Sequence, residues 1–320
     1  MRSRIARSAL VLLAPCAGSL PLGGCLGFLL GYAMGSADGH AQETHIEGRM
    51  DAVERLVTRA TLSEGPCDRR AALEKLRHEY LSPTVGDPAS VRARADQELA
   101  RLAETLDDPE PSVAAAGRLL LTEMVGTTVG LAHDDRVAIE SMKDAGQQTE
   151  VDPAEVKHFE AAHSRACAAA LRAYAMARLG VDMRDAAPLL RRGIAFPLEP
   201  REGNESPLAV YCAMALVAAT GEVDAALPVL VEGTRREDVE TRYHRTGGWP
   251  FGGVALETRV SLDAAIAAVI GIGRAGPAGA SALPTLRKIA AAHDDFVMRR
   301  AAETAVGRIE GPGGPRPHRP

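Results

Sequence analysis

Apolar residues along most of this chain recur every three or four positions rather than every second one, the spacing of helices with one buried face. Over 281–293, Leu283, Leu286 and Ile289 fall on one face, while Arg287 and Lys288 fall off it. The next segment places Val297, Ala301, Ala305 and Ile309 four apart. Further back, Leu208, Cys212, Ala215 and Ala219 are expected to face Val223, Leu227 and Leu230. Three segments carry a proline early in an apolar helix: Asp185-Ala-Ala-Pro188-Leu-Leu, Asp224-Ala-Ala-Leu-Pro228-Val-Leu and Ser281-Ala-Leu-Pro284-Thr-Leu. Proline fits a first helical turn, where its missing N–H would have had no partner. Asp185, Asp224 and Ser281 stand where N-cap side chains belong. Gly180, Gly221 and Gly273 mark successive helix ends, where positive φ is common. The pattern predicts an all-α fold.

The prolines also set a period. Pro188 and Pro228 lie 40 residues apart, and Pro228 and Pro284 lie 56 apart. The extra length fits an insertion loop at about 239–258. Two helices per unit at such a period is the signature of an α-solenoid. An alanine-rich helix ending near glycine, then Ala-x-Pro-x-Leu, then Asp294-Asp295-Phe296-Val297-x-Arg299-x-Ala301-Ala302 resembles the unit of the HEAT-repeat family. Asp107-Asp108-Pro109-Glu110-Pro111-Ser112-Val113 is similar to the same inter-helix turn in an earlier unit. The resemblance is good over 166–310 and weak over 50–165. It implies a solenoid of antiparallel helix pairs with a curved surface for binding macromolecules, and specifies fold better than function. Residues 81–90 and 127–152 read as connections, the second with a short helix. Residues 311–320, rich in Gly and Pro, read as a disordered tail.

The N-terminus is a separate object. Arg2, Arg4 and Arg7 precede the apolar run Ala9 to Ala14, the shape of an export signal. Leu22-Gly23-Gly24-Cys25 resembles a bacterial lipobox, which implies cleavage after Gly24 and lipidation of Cys25. The stretch after Cys25 departs from that pattern by staying apolar. From Ala9 to Gly35 the chain runs 27 residues without a charge, long enough to span a bilayer. Gly23, Gly27, Gly31 and Gly35 recur every four residues, a small-residue face on which membrane helices can pack. A lipid anchor, an uncleaved membrane helix and a released protein therefore stay open, and each places the body outside the cytoplasm; with the lipid anchor it is expected in the cell envelope, facing the extracytoplasmic side. Residues 36–49 read as a tether.

Composition sharpens this picture. The chain has 57 alanines but only 11 aromatic residues, and 33 arginines against 4 lysines. Alanine leads the helix scale, and few residues suited to strands remain. The net charge of −5 gives no footprint for nucleic acid. Removing residues 1–24 takes three arginines and makes it −8. Of the five cysteines, Cys67, Cys167 and Cys212 belong to the body. Without CxxC or zinc spacing, Cys167 and Cys212 read as small buried side chains.

Candidate chemistry is sparse. Gly271-Ile272-Gly273-Arg274-Ala275-Gly276 fits a dinucleotide fingerprint on paper, with Asp294 near the expected distance. The apolar run before it reads as a helix end, so these glycines are read as a turn and no cofactor is expected. Glu155-x-x-His158 and Glu160-x-x-His163 match di-iron spacing, but on one helix they point about 140° apart and cannot share a metal. They read as exposed polar positions. The acid pairs Asp107-Asp108, Asp134-Asp135 and Asp294-Asp295 lie at turns, where capping explains them. The insertion is more informative: Tyr243, His244, Arg245, Trp249 and Phe251 fall within nine residues and include the only tryptophan. Tyr, Trp and Arg dominate binding hot spots. The expectation is a membrane-tethered scaffold, not an enzyme, binding another envelope protein through its concave face, this loop, or both. Alternatives are a small-molecule enzyme using the 241–253 loop and a spacer oligomerising through its glycine-rich anchor.

Overall fold

The computed structural model describes residues 52–83, 88–126, 130–145, 153–195, 207–234 and 253–311, with the backbone alone at 143–145, 153–160 and 253–261. Among these residues the fold is all-α. Helices α1 (Ala52–Leu62), α2 (Pro66–Leu81), α3 (Pro88–Gln97), α4 (Leu99–Leu102) and a 3₁₀ turn (Ala103–Asp107) form an N-terminal block with α5 (Pro111–Val125). There follow α6 (His133–Ala145), α7 (Pro153–Arg178), α8 (Ala187–Ile194) and α9 (Leu208–Thr220). The last four are α10 (Leu227–Gly233), α11 (Gly253–Arg274), α12 (Leu283–Ala292) and α13 (Phe296–Glu310).

Pro188, Pro228 and Pro284 sit in the first turns of α8, α10 and α12, as the sequence predicts. The caps differ. Ala186, Ala226 and Ala282 occupy the N-cap positions and make no side-chain cap bond. Asp185 and Ser281 lie in 3₁₀ turns just upstream, and Asp224 in a turn. The amides of Ala186 and Ala226 donate to the carbonyls of Met183 and Val223 at 2.9 and 3.0 Å. The preceding turn thus gives a partner to the N-cap amide itself, while no side chain caps the first helical turn. Asp295 does cap α13, accepting from Met298 N at 2.8 Å.

Helices α7, α9, α11 and α13 pack in succession, each on the next. Helix α8 packs on α9 and α6, α10 on α9 and α11, and α12 on α13. Enclosed by α7, α8, α10 and α11, helix α9 is buried at every position from Leu208 to Val217. A helix apolar all round belongs in a core, so the single face proposed for Leu208, Cys212, Ala215 and Ala219 is too narrow. On α12, Leu286 and Ile289 are buried and Leu283 half-buried, with Arg287 and Lys288 exposed, as expected. On α13 the buried stripe is Met298, Ala302, Ala305 and Ile309, rotated slightly from the expected one.

Gly180 and Gly221 end α7 and α9 with φ of 89° and 74°, in the left-handed region that favours glycine. Gly273 does something else. It lies inside α11, and a Cβ there would stand 2.9 Å from the Ala305 Cα. Its role is close approach of α11 to α13, while Gly276 takes the positive φ of 56° beyond the helix. Helix α11 also begins at Gly253, so the insertion ends there rather than near 258. No proline interrupts the chain between Gly253 and Gly276, and the helical turn simply continues.

Candidate functional site: a charged junction

Cys25, the glycines Gly23, Gly27, Gly31 and Gly35, and the loop residues Tyr243, His244, Arg245, Trp249 and Phe251 lie outside the described residues. So do the 9–35 run, the 36–49 tether and residues 312–320 of the tail. Among the described residues no helix is long and apolar enough to cross a membrane.

The described residues bring together a different set of side chains. Helix α3 packs on α1, α2 and α7, and α4 packs on α7 and α11. The stretch Glu98 to Ala103 is buried throughout, including the charged residues Glu98 and Arg101. Arg94 reaches Glu98 at 2.6 Å and Asp263 of α11 at 3.2 Å. Arg101 donates to Glu98 at 3.0 Å and to the Thr58 hydroxyl of α1 at 3.0 Å. Glu54 stands 4.0 Å from Arg94. Burial, reinforced by the Glu98 carboxylate and opposed by Arg94 and Arg101, pushes the Asp263 carboxyl well above the usual range.

A second cluster closes the far end. The Tyr174 hydroxyl and the Arg274 guanidinium donate to Glu104 at 3.0 and 2.7 Å. Arg178 and Arg308 donate to Asp107, both at 2.9 Å, and Arg274 pairs with Asp107 as well. Three guanidiniums from α7, α11 and α13 therefore converge on two carboxylates of one 3₁₀ turn. Burial pulls Asp107 upward, but the hydrogen bonds from Arg178 and Arg274 win and hold it below the usual carboxylate range. A third cluster joins Tyr80, Asp96, Asp135 and Arg172. Buried ion pairs of this kind add little net stability over apolar packing, yet losing one partner is costly. The row of long helices thus meets the chain's own N-terminal block on this face.

The other candidates resolve as follows. Glu155, His158, Glu160 and His163 all lie on α7, in agreement with the one-helix reading. His163 is half-buried rather than exposed, its Nε2 3.6 Å from the Cys167 sulfur, and burial lowers its pKa to about 4. Cys167 and Cys212 are buried free thiols with pKa values raised by burial, unsuited to nucleophilic attack. Asp108 accepts from Glu110 N at 2.9 Å, and Asp135 pairs with Arg172, so these acids serve turns and ion pairs. Residues 271–274 are helical, so the glycines around Arg274 form no phosphate-cradling loop.

One surface groove of about 580 Å³ lies between α2 and α5, lined by Leu73, Ala115, Ala116, Arg70, Arg77 and Glu74. Leu119 lines it and is 47% exposed. Arg94, Glu98, Arg101 and Glu104 were not singled out by sequence reasoning, and Asp107 was read as a turn acid rather than as an ion-pair partner. The spacing of four and three is a readable signal for the first four, which on a continuous helix would fall within about 120° of one another, with Asp107 beyond that sector. No family model matches this chain, and no curated protein matches it.

Proposed function

We propose that this protein is a membrane-tethered HEAT-like repeat scaffold that binds another protein of the cell envelope. The observation that carries the reading is the repeated Ala-x-Pro-x-Leu helix. Its three copies open α8, α10 and α12, which alternate in the chain with the successively packed α9, α11 and α13. That alternation is what stacked helix pairs require. The arginine-led apolar N-terminus and the Leu22–Cys25 box supply the tether, with Cys25 as its lipidated residue.

In this reading the partner binds through the concave face of the repeats, the 241–253 loop, or both, and the groove between α2 and α5 is a further candidate surface. Trp249 and Tyr243 are the anchors we assign to the loop, because large aromatic side chains bury much area at small entropic cost.

The test is co-purification from membranes with the full chain and with Trp249→Ala. The expected result is a specific envelope protein retained by the wild type and lost or weakened about tenfold with the variant, as for a hot-spot residue. Equal retention by both removes the loop from the binding surface, and no specific retention by either contradicts the scaffold reading. Mass spectrometry of the mature N-terminus, expected to begin at a lipidated Cys25, checks the tether separately.

A further inference from the structure

Arg172 on α7 serves two carboxylates. Asp135 on α6 holds the close pair, with Arg172 Nε donating at 3.2 Å. Asp96 on α3 is left at 3.8 Å from the same guanidinium, with the Tyr80 hydroxyl of α2 at 3.5 Å. Two acids around one guanidinium leave the cluster one positive charge short, and its members are largely withdrawn from water. The remaining facing groups do not make up the difference. Tyr80 is a neutral donor that also reaches the Met124 carbonyl of α5 at 3.4 Å, and Arg92 of α3 is exposed and donates to the Tyr80 carbonyl.

We propose that the joint of α2, α3, α6 and α7 is proton-sensitive: a proton on Asp96 leaves Arg172 to Asp135 alone and stabilises the packing of the N-terminal block in mild acid. This is a property of the fold itself and does not depend on any partner. Burial, against the pull of Arg172 and the Tyr80 hydroxyl and with Asp135 adding to it, pushes Asp96 up to about 6. A carboxyl held above its unfolded value of 3.8 binds its proton more tightly in the folded chain. Its contribution is therefore fully present below the ordinary carboxylate range and is lost as pH rises towards 6. Asp263, on the neighbouring junction, is shifted in the same direction through its own burial and the Glu98 carboxylate.

The experiment is thermal unfolding of the full chain, wild type and Asp96→Asn, at about pH 5 and about pH 7.5. Asparagine mimics the protonated carboxyl at every pH. The melting temperature of the variant relative to the wild type is expected to rise by a few degrees between the lower and the higher pH. A difference that stays constant across the two pH values, whatever its size, overturns the proposal, because a plain structural role moves both equally. Asp135→Asn gives a second readout. With Arg172 freed for Asp96, the part of the pH dependence that Asp96→Asn removes in the wild-type background shrinks; an undiminished part contradicts the shared-guanidinium joint.

Discussion

Leu208–Val217 in α9 and Glu98–Ala103 at the start of the 3₁₀ turn are both withdrawn from water. The first is built of alanine, leucine, methionine and valine with Cys212 and Tyr211, of which Tyr211 feels the charges of Asp263, Glu98 and Arg94. The second carries Glu98 and Arg101, and is covered by Arg94, Asp263 and Thr58. Apolar packing stabilises in proportion to area, roughly 25 cal/mol per Å², and tolerates small changes of partner. Charged packing adds little net energy and fixes one arrangement, because a buried charge left without a partner is costly. The helix row is therefore held by bulk, and the N-terminal block is positioned on it by pairing.

Removing one member of each region breaks the comparison most sharply. Glu98→Ala leaves Arg94 and Arg101 facing each other in a buried site and is expected to cost about 3–5 kcal/mol. Leu216→Ala in α9 is expected to cost about 3 kcal/mol through lost transfer energy and a cavity. The two differ in their rescue. Adding Arg101→Met to Glu98→Ala should recover part of the loss, since an unpaired charge is removed, whereas no second truncation rescues Leu216→Ala. Chemical denaturation of Glu98→Ala, Arg101→Met, the double variant and Leu216→Ala measures this, and additive losses at Glu98 and Arg101 would contradict the pairing between them.

Smaller effects sharpen the same contrast. Gly273→Val puts a side chain where Ala305 Cα stands 2.9 Å from an added Cβ, and should cost about 1–3 kcal/mol through displacement of α13. The same substitution at Gly307, with nothing near its Cβ, should cost less in the same melting assay. Asp295→Ala removes the side-chain acceptor of Met298 N and should cost about 1 kcal/mol. An equal loss at Gly307 and Gly273 would mean that helix propensity, not close approach, governs both.

The parts legible in the sequence are those with a single physical solution. Proline in an apolar run can open a helix but not sit within it, so Pro188, Pro228 and Pro284 located three helices correctly. Gly180 and Gly221 were legible as terminators because a helix end needs a residue at ease with positive φ. Gly273 was not, since glycine serves close packing as readily as turns, and only the position of Ala305 distinguishes the two. Asp185, Asp224 and Ser281 misled because a helix can also open from a preceding turn with no side-chain cap. The charged junction was hidden for a related reason. Arg94, Glu98, Arg101 and Glu104 recur at the spacing that charges on an exposed helix also show, and the partners Asp263, Arg274 and Arg308 lie 167 to 204 residues away in several of these pairs.

The claim that the N-terminal block is seated on the long helices is tested most directly by amide hydrogen exchange of the purified full chain near neutral pH. Residues 98–103 are expected to exchange as slowly as Leu208–Val217, within about tenfold, because both then open only with the whole fold. Exchange of residues 98–103 at the rate of exposed helix ends, with Leu208–Val217 still protected, would contradict it.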